Sequence, residues 1–239
     1  MKEIFTLILS QPIFNGFIWL YNIIPDVGFV IILLTLVLKF ALLPANAKSI
    51  KAQKSLTELQ PKLDDLKKKH KDNQQVLAQE TMKLYKEHKV NPFGSCLPLL
   101  IQLPVFLALY WVLRDVLNPE QNFEMLYSVV QRPESVNPMF LGLIDLGKPQ
   151  IVLAALAAGA QFFQAKMFAK KRAPKEAGEG GKDENMAAMM NKQMMYMVPA
   201  ITFMIGFTLP GGLLLYWFIS TVFTLIQQLV VFKKLDEQK

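Results

Sequence analysis

Five stretches of this 239-residue chain are apolar over a length suited to a hydrocarbon core: Val27 to Leu43, Cys96 to Leu113, Ile151 to Ala165, Met194 to Leu209 and Leu213 to Phe232. A bilayer interior about 30 Å thick takes roughly 20 helical residues, and each stretch approaches that with its flanks. No water at that depth can satisfy a backbone N–H or C=O, so each stretch is expected to be helical. The expected class is therefore all-α: a polytopic membrane protein with a core of five transmembrane helices and a cytoplasmic helical hairpin. Composition agrees, with 52% hydrophobic residues and a mean hydropathy of +0.27.

Basic residues stay on the cytoplasmic side of a membrane. Of the 26 Lys and Arg, 21 fall in segments 48–94, 166–192 and 233–239. The other side holds Lys2, Arg114, Arg132 and Lys148, and Lys39 lies inside the first apolar run. With acidic residues included, the two sides carry +9 and −3. The N-terminus is thus expected outside and the C-terminus inside, which requires an odd number of spans. The expected order is an N-terminal interfacial amphipathic helix (1–26), a first span (27–47), the cytoplasmic hairpin (48–94), a second span (95–117), an extracytoplasmic loop (118–148), a third span (149–168), a mobile cytoplasmic loop (169–192), a fourth span (193–210), a fifth span (211–232) and a cytoplasmic tail (233–239).

The hairpin is read from Leu56, Leu59, Leu63 and Leu66 at helical spacing, a break at Asp72–Asn73, and a second helix carrying Val76, Met82, Leu84 and Tyr85 with Lys83, Lys86 and Lys89. Pro61 fits the first turn of a new or kinked helix. The alternative is a solvated coiled-coil hairpin with no partner. Residues 170–185 lack large apolar side chains and suit a mobile loop. The outer segment from Asn118 to Lys148, with three prolines and the apolar patch Phe140 to Ile144, reads as a compact loop near the membrane surface. Leu209–Gly212 reads as a tight turn joining the last two spans. In the N-terminal stretch Ile4 to Ile24, Ser10, Gln11, Pro12, Asn15 and Gly16 interrupt the apolar run. An interfacial helix starting near Pro12 is expected, with a sixth span or a signal peptide as the alternatives.

Lys39 is the residue most in need of a reason, because a charge near a helix centre costs about 2.5–3.5 kcal/mol on insertion scales. Snorkelling is the bland explanation. Yet Lys48, the first basic residue of the cytoplasmic segment, lies nine residues on, about 13 Å away, against a stem reach of roughly 6 Å. Thr35 lies one turn away on the same face, so that face is expected to line a hydrated cavity. Gln102, Gln161, Gln164, Ser220, Thr221, Thr224, Gln227 and Gln228 also interrupt the apolar runs. They fit either a polar groove or simple interhelical bonding. Seven of the 12 methionines lie between Met186 and Met204, where adaptable partner contact competes with ordinary lipid-facing or core packing.

Other chemistries lack their residues. There is no phosphate-binding glycine loop for a nucleotide motor. No Asp or Glu lies in the apolar cores, and both histidines, His70 and His88, are in the hairpin. Intramembrane hydrolysis and carboxylate proton relay are poorly served, and the single Cys96 makes no intrachain disulfide. Neither an enzyme nor a cofactor is expected.

The run KVNPFGSCLPLLIQLPVFLALYWVL, Lys89 to Leu113, resembles the signature of the YidC-type membrane protein insertases, which have mitochondrial and thylakoid relatives. So do LSQPIFNGFIWLYNIIP from Leu9, LQPKLDDLKKK in the hairpin and LPGGLLLYWFISTVFTLIQQ from Leu209, in the same order. The resemblance implies a five-helix core around a hydrophilic groove open to cytoplasm and lipid but closed on the outer side. It implies insertion and folding of integral membrane proteins, alone or with the Sec translocon, in the bacterial inner membrane. Bacterial members carry a positive residue, normally Arg, in that groove, and Lys39 in TLVLKFALLP takes its position. Thr35 matches a groove-lining position, and Tyr216 and Trp217 match the aromatic pair that meets substrate. Gln161 and Gln164 both lie near a polar position of the third helix. The implied partners are nascent membrane proteins, the Sec translocon, and the ribosome and signal recognition particle or its receptor at the hairpin and tail. Anionic lipid would also be drawn to the basic face. The large periplasmic domain and extra N-terminal span of many Gram-negative members have no counterpart, which leaves a minimal member or a piece of a longer chain. Two other functions remain open: a small-solute transporter or channel, and a membrane chaperone without insertion activity.

Overall fold

The structure is a computed structural model that describes residues 2–70, 73–91, 97–118, 122–170 and 195–237, and the described backbone is almost entirely helical. Helix α1 (Lys2–Phe5) passes through a π-helical stretch, Thr6–Ser10, into α2 (Gln11–Ile23). The widening sits just upstream of Pro12, which has no N–H to return to Ile8 and whose ring crowds that carbonyl. Helix therefore begins at Lys2, well before the start near Pro12 that the sequence led us to expect. The segment Glu3–Ile23 is itself long and apolar enough to cross a membrane.

Along α2, three side-chain amides donate to main-chain carbonyls of the segment 122–137. Gln11 Nε2 reaches Met125 O at 3.3 Å, Asn15 Nδ2 the same oxygen at 2.8 Å, and Asn22 Nδ2 reaches Gln131 O at 2.7 Å. Asn15 Oδ1 also accepts from Tyr127 N at 2.6 Å, and the Tyr21 hydroxyl accepts from Asn137 N at 2.9 Å. These contacts run over about 16 Å of helix, so α2 lies along that segment.

Asp26 caps α3 (Val27–Ala41) by accepting from Phe29 N. Helix α3 ends at Leu42, and α4 (Leu43–Lys69) leaves it at 67°. Pro44 cannot donate to Phe40, which accounts for the bend. Pro61 lies inside α4 without ending it, held between buried Leu59 and Leu63. Asn73 caps α5 (Gln74–Glu87) by accepting from Val76 N. Helix α5 returns along α4, bringing Lys62 Nζ within 2.6 Å of His88 Nε2. Four further helices follow: α6 (Leu97–Leu117), α7 (Ile151–Lys170), α8 (Met195–Ile205) and α9 (Gly211–Asp236). Most of the mobile loop expected at 169–192 lies outside the described residues.

Between α6 and α7 the chain forms a small antiparallel pair, β1 (Met139–Phe140) with β2 (Ile144–Asp145), which the all-α expectation did not contain. After it, Asp145 accepts from Gly147 N and from Lys148 Nζ, 2.9 Å away, and the Lys148 ammonium holds that carboxyl below the usual carboxylate range.

The core is built where α2, α3, α6 and α9 meet. Phe14, Phe17 and Ile18 of α2 pack with Val27, Ile31 and Leu34 of α3, Leu109, Val112, Leu113 and Val116 of α6, and Leu213 and Leu214 of α9. Helix α3 is apolar on its other face too: Phe29, Leu33, Val37 and Phe40 are exposed, at spacings of four, four and three. A helix apolar all round belongs in lipid or a large core.

Gly28 lets the loop approach α3, since a Cβ there would fall 1.9 Å from the Phe140 ring. Gly28→Ala is expected to cost about 1–3 kcal/mol through overpacking, read as earlier loss of monodisperse protein on heating in detergent. Gly159→Ala, whose Cβ meets open space, is the control and should be neutral or slightly stabilising.

By length and composition, Leu100–Leu117 and Gly211–Leu235 join Glu3–Ile23 as candidate spans, and the bent pair of α3 and α4 is a fourth. Ile151–Met167 and Met195–Ile205 are shorter apolar helices. The described part of α8, 11 residues, rises about 16 Å, and at its end the backbone turns over Gly206–Leu209 before Pro210.

Candidate functional site

A chain of polar side chains crosses the apolar bundle at Lys39. The residue sits in the last turn of α3 and is 7% exposed. Its Nζ donates to Thr224 Oγ1 of α9 at 3.0 Å and to Gln102 Oε1 of α6 at 3.4 Å. Gln102 Nε2 in turn donates to the Tyr216 hydroxyl. Thr224 directs its own proton to Ser220 O at 2.8 Å, which frees its lone pairs for the ammonium. Lys39 is thus bound by neutral oxygens from two other helices, and neither of these partners is a carboxylate. An ammonium has three donors, so two partners leave one direction for water or a ligand.

Thr35, one turn earlier, is 1% exposed and donates to Ile31 O at 2.6 Å. Tyr216 is equally buried, whereas its neighbour Trp217 is half-buried and stands edge-on to Phe106 of α6, centroids 5.2 Å apart. The two aromatic residues therefore differ: Tyr216 ends the polar chain inside the bundle, and Trp217 is partly exposed beside Phe106. Gln161 belongs to a different contact, accepting from Thr202 Oγ1 of α8 at 2.7 Å, and half-buried Gln164 lies one turn further along α7. In α8, Tyr196, Met197, Ile201 and Met204 are exposed and Met195 is half-buried, while Met186, Met189, Met190 and Met194 lie outside the described residues.

A second polar seam joins α4 to the far end of α9. Lys54, nearly buried, donates to Phe232 O at 3.2 Å with its ammonium over the Phe232 ring, and Gln227 Nε2 donates to Leu43 O at 3.2 Å. The cation lies near a helix C-terminus, where the dipole favours it. In the sequence, Lys54 is only one of the basic residues of segment 48–94. Gln102 and Thr224 stand there only as polar interruptions. Their signal was polarity at depth, but sequence positions 63 and 185 residues away gave no sign that both would meet Lys39. Among the described residues, no three His, Cys, Asp or Glu gather as a metal ion would need.

Comparison with known proteins places this geometry in a family. The family model described as the 60Kd inner membrane protein matches residues 19–238. A membrane protein insertase YidC of Fusobacterium nucleatum is 36% identical over 207 residues, 87% of this chain and 86% of the relative. One from Buchnera aphidicola is 35% identical over 231 residues, 96% of this chain but 38% of the relative. One from Geobacter sp. strain M21 is 31% identical over 95% of this chain and 37% of the relative. The chain thus spans under two-fifths of the length of several curated relatives it matches. A solved structure, an active YidC insertase with its first transmembrane domain resolved, superposes with a TM-score of 0.58 at 26% identity, covering 90% of this chain and 45% of that one.

Proposed function

The chain belongs to the 60Kd inner membrane protein family of bacterial membrane proteins, and from that premise we propose that it is a membrane protein insertase with no energy-coupling site in this chain. The observation that carries the mechanism is Lys39, a charge among apolar helices held by neutral oxygens of Gln102 and Thr224. A charge that has no carboxylate partner among the described residues draws water and polar groups toward it. A substrate's polar leading tail would find partial hydration at that level, which lowers the barrier of crossing intact hydrocarbon. The substrate's apolar helix would leave along Trp217 and the outer rim into lipid, and its transfer into lipid supplies the free energy.

In this reading α3, α6, α7, α8 and α9 are the five spans, and α2 is interfacial. Three helix ends gather on the loop 122–150. Asp26 at the start of α3 accepts from Leu141 N, Gly211 and Gly212 at the start of α9 donate to Lys148 O and Leu146 O, and Asp115 near the end of α6 accepts from Asn122 N. The bonds of α2 along that same loop favour a helix lying on the outer face over a sixth span. The other ends gather at α4, through Leu43 with Gln227 and Lys54 with Phe232. That side carries the basic excess and is therefore assigned to the cytoplasm. Helices α4 and α5 with the C-terminal tail would receive nascent membrane proteins there, facing the ribosome or the signal recognition particle and its receptor, alone or beside the Sec translocon. Anionic lipid would hold the basic face.

Purified chain in proteoliposomes should render the tail of a single-span substrate protease-protected. Flux of small solutes without any such insertion would sink the proposal in favour of a channel. Photocrosslinkers at Thr35, Lys39 and Trp217, read against a substrate arrested during insertion, should capture it most strongly from Trp217. Thr35 reports only if the helices around it open, because it is closed in. An absence of crosslinks from all three would relocate the path.

A further inference from the structure

The turn between β1 and β2 carries two leucines outward. Leu141 is 56% exposed and Leu143 81%. Leu143 N donates to Phe140 O at 3.0 Å, and both central residues have positive φ, +53° at Leu141 and +68° at Gly142. Two successive positive φ values favour Asn-Gly or Gly-Gly at these positions, because a Cβ crowds the left-handed conformation. Leu at the first central position opposes the turn's own chemistry, and a departure of this kind is expected where function asks for it.

The turn is also fixed at one place on the bundle. Asp26 accepts from Phe29 N with Oδ1 and from Leu141 N with Oδ2, at 3.1 and 2.7 Å. The Phe29 and Phe140 rings meet edge-on, centroids 5.7 Å apart at 81°. Phe29 is the first member of the exposed apolar stripe Phe29, Leu33, Val37 and Phe40 on α3. The turn that carries the two exposed leucines is therefore joined to the stripe at its first member.

We propose that this turn is a membrane foot: Leu141 and Leu143 insert into the headgroup boundary of the leaflet that α3 begins in, and through Asp26 they set the depth of α3. The partner is the lipid surface, because the apolar face is continuous with the outward stripe of a spanning helix. Interfacial apolar side chains anchor by the area they bury at that boundary. The inference rests on the topology proposed above only in needing α3 to span; it does not depend on which side is cytoplasmic or on insertion activity.

The test uses the full chain with Cys96→Ser, labelled with a nitrobenzoxadiazole fluorophore at Leu143→Cys, in phosphatidylcholine–phosphatidylglycerol vesicles. Ser135→Cys, exposed in the same loop, is the aqueous control. Substitution at 143 leaves the strained positions 141 and 142 untouched. Nitroxide lipid labelled near the ester should quench position 143 at least about twofold more than position 135, and iodide should show the reverse. Leu141→Asn, which suits the turn, should keep the protein monodisperse in detergent yet reduce lipid quenching at 143. Iodide quenching at 143 equal to that at 135 overturns the foot. Shielding from both quenchers also overturns it, and assigns the leucines to a protein partner. Substrate insertion measured in the same vesicles reports separately on the insertase reading.

Discussion

Lys39→Glu is expected to abolish insertion of a single-span substrate, while Lys39→Arg retains it. The site explains both. Gln102 Oε1 and Thr224 Oγ1 present lone pairs to a cation, so a carboxylate would meet oxygen where it needs donors, and the field felt by an incoming tail would change sign. A guanidinium remains a donor to both groups and is more weakly hydrated than an ammonium. Lys39→Met separates stability from activity. Met has similar volume, Gln102 keeps its bond to Tyr216, and Thr224 keeps its bond to Ser220 O. The buried charge and its desolvation cost are gone, which offsets the loss of a donor to Gln102 Oε1. Replacing buried charge with packed apolar groups is often neutral or stabilising. Lys39→Met should therefore resist heating in detergent at least as well as the parent chain, yet insert roughly tenfold or more less substrate. Insertion by Lys39→Ala or Lys39→Met equal to that of the parent would remove the charge from the mechanism.

The residues that announced themselves in the sequence were those whose local cost is high. Lys39 violates hydrocarbon by itself, so its importance is visible without any partner. Apolar runs declare helices in the same way, because a spanning backbone has no other means of bonding. What stayed hidden depends on pairing at long range. Gln102 became a ligand of the Lys39 ammonium only through the meeting of α3, α6 and α9. Lys54 resembles its solvated neighbours in sequence, and only the crossing of α4 over the end of α9 buries it against Phe232. Thr35 and Tyr216 were expected to face a groove; Tyr216 ends the polar chain, Thr35 turns its hydroxyl to Ile31 O of its own helix, and both are closed in. The bend at Leu42 was invisible in hydropathy, since the apolar run continues through it to Leu43 while Pro44 breaks the hydrogen-bond ladder. Helix α8 shows the reverse limit: the apolar run reaches Leu209, but Gly206 and Pro210 end the helix sooner.

Asn15 supplies the second large expected effect. In the sequence it is one more interruption of an apolar stretch; in the fold it is 4% exposed, and both its amide nitrogen and its oxygen are bonded. Nδ2 donates to Gln11 O and Met125 O, each at 2.8 Å, and Oδ1 accepts from Tyr127 N at 2.6 Å. Asn15→Leu preserves shape but takes the acceptor from the Tyr127 N–H in a part-buried contact. Leaving a buried donor unmade costs about 1–3 kcal/mol, and weakening the Met125 contact adds to it, so a total near 2–4 kcal/mol is expected. Asn22→Ala removes a single exposed bond to Gln131 O and should cost about 1 kcal/mol or less. Limited proteolysis of residues 122–137 in detergent distinguishes the two: Asn15→Leu should expose the loop to cleavage, and Asn22→Ala should leave it resistant. Equal resistance in both variants would mean that the loop is held by Tyr21, Asp26 and the packing of Phe123, and that α2 is not clamped to it through Asn15. That outcome would also withdraw the strongest support for α2 as an interfacial helix, because a helix free of the loop could cross the membrane as the length of Glu3–Ile23 permits.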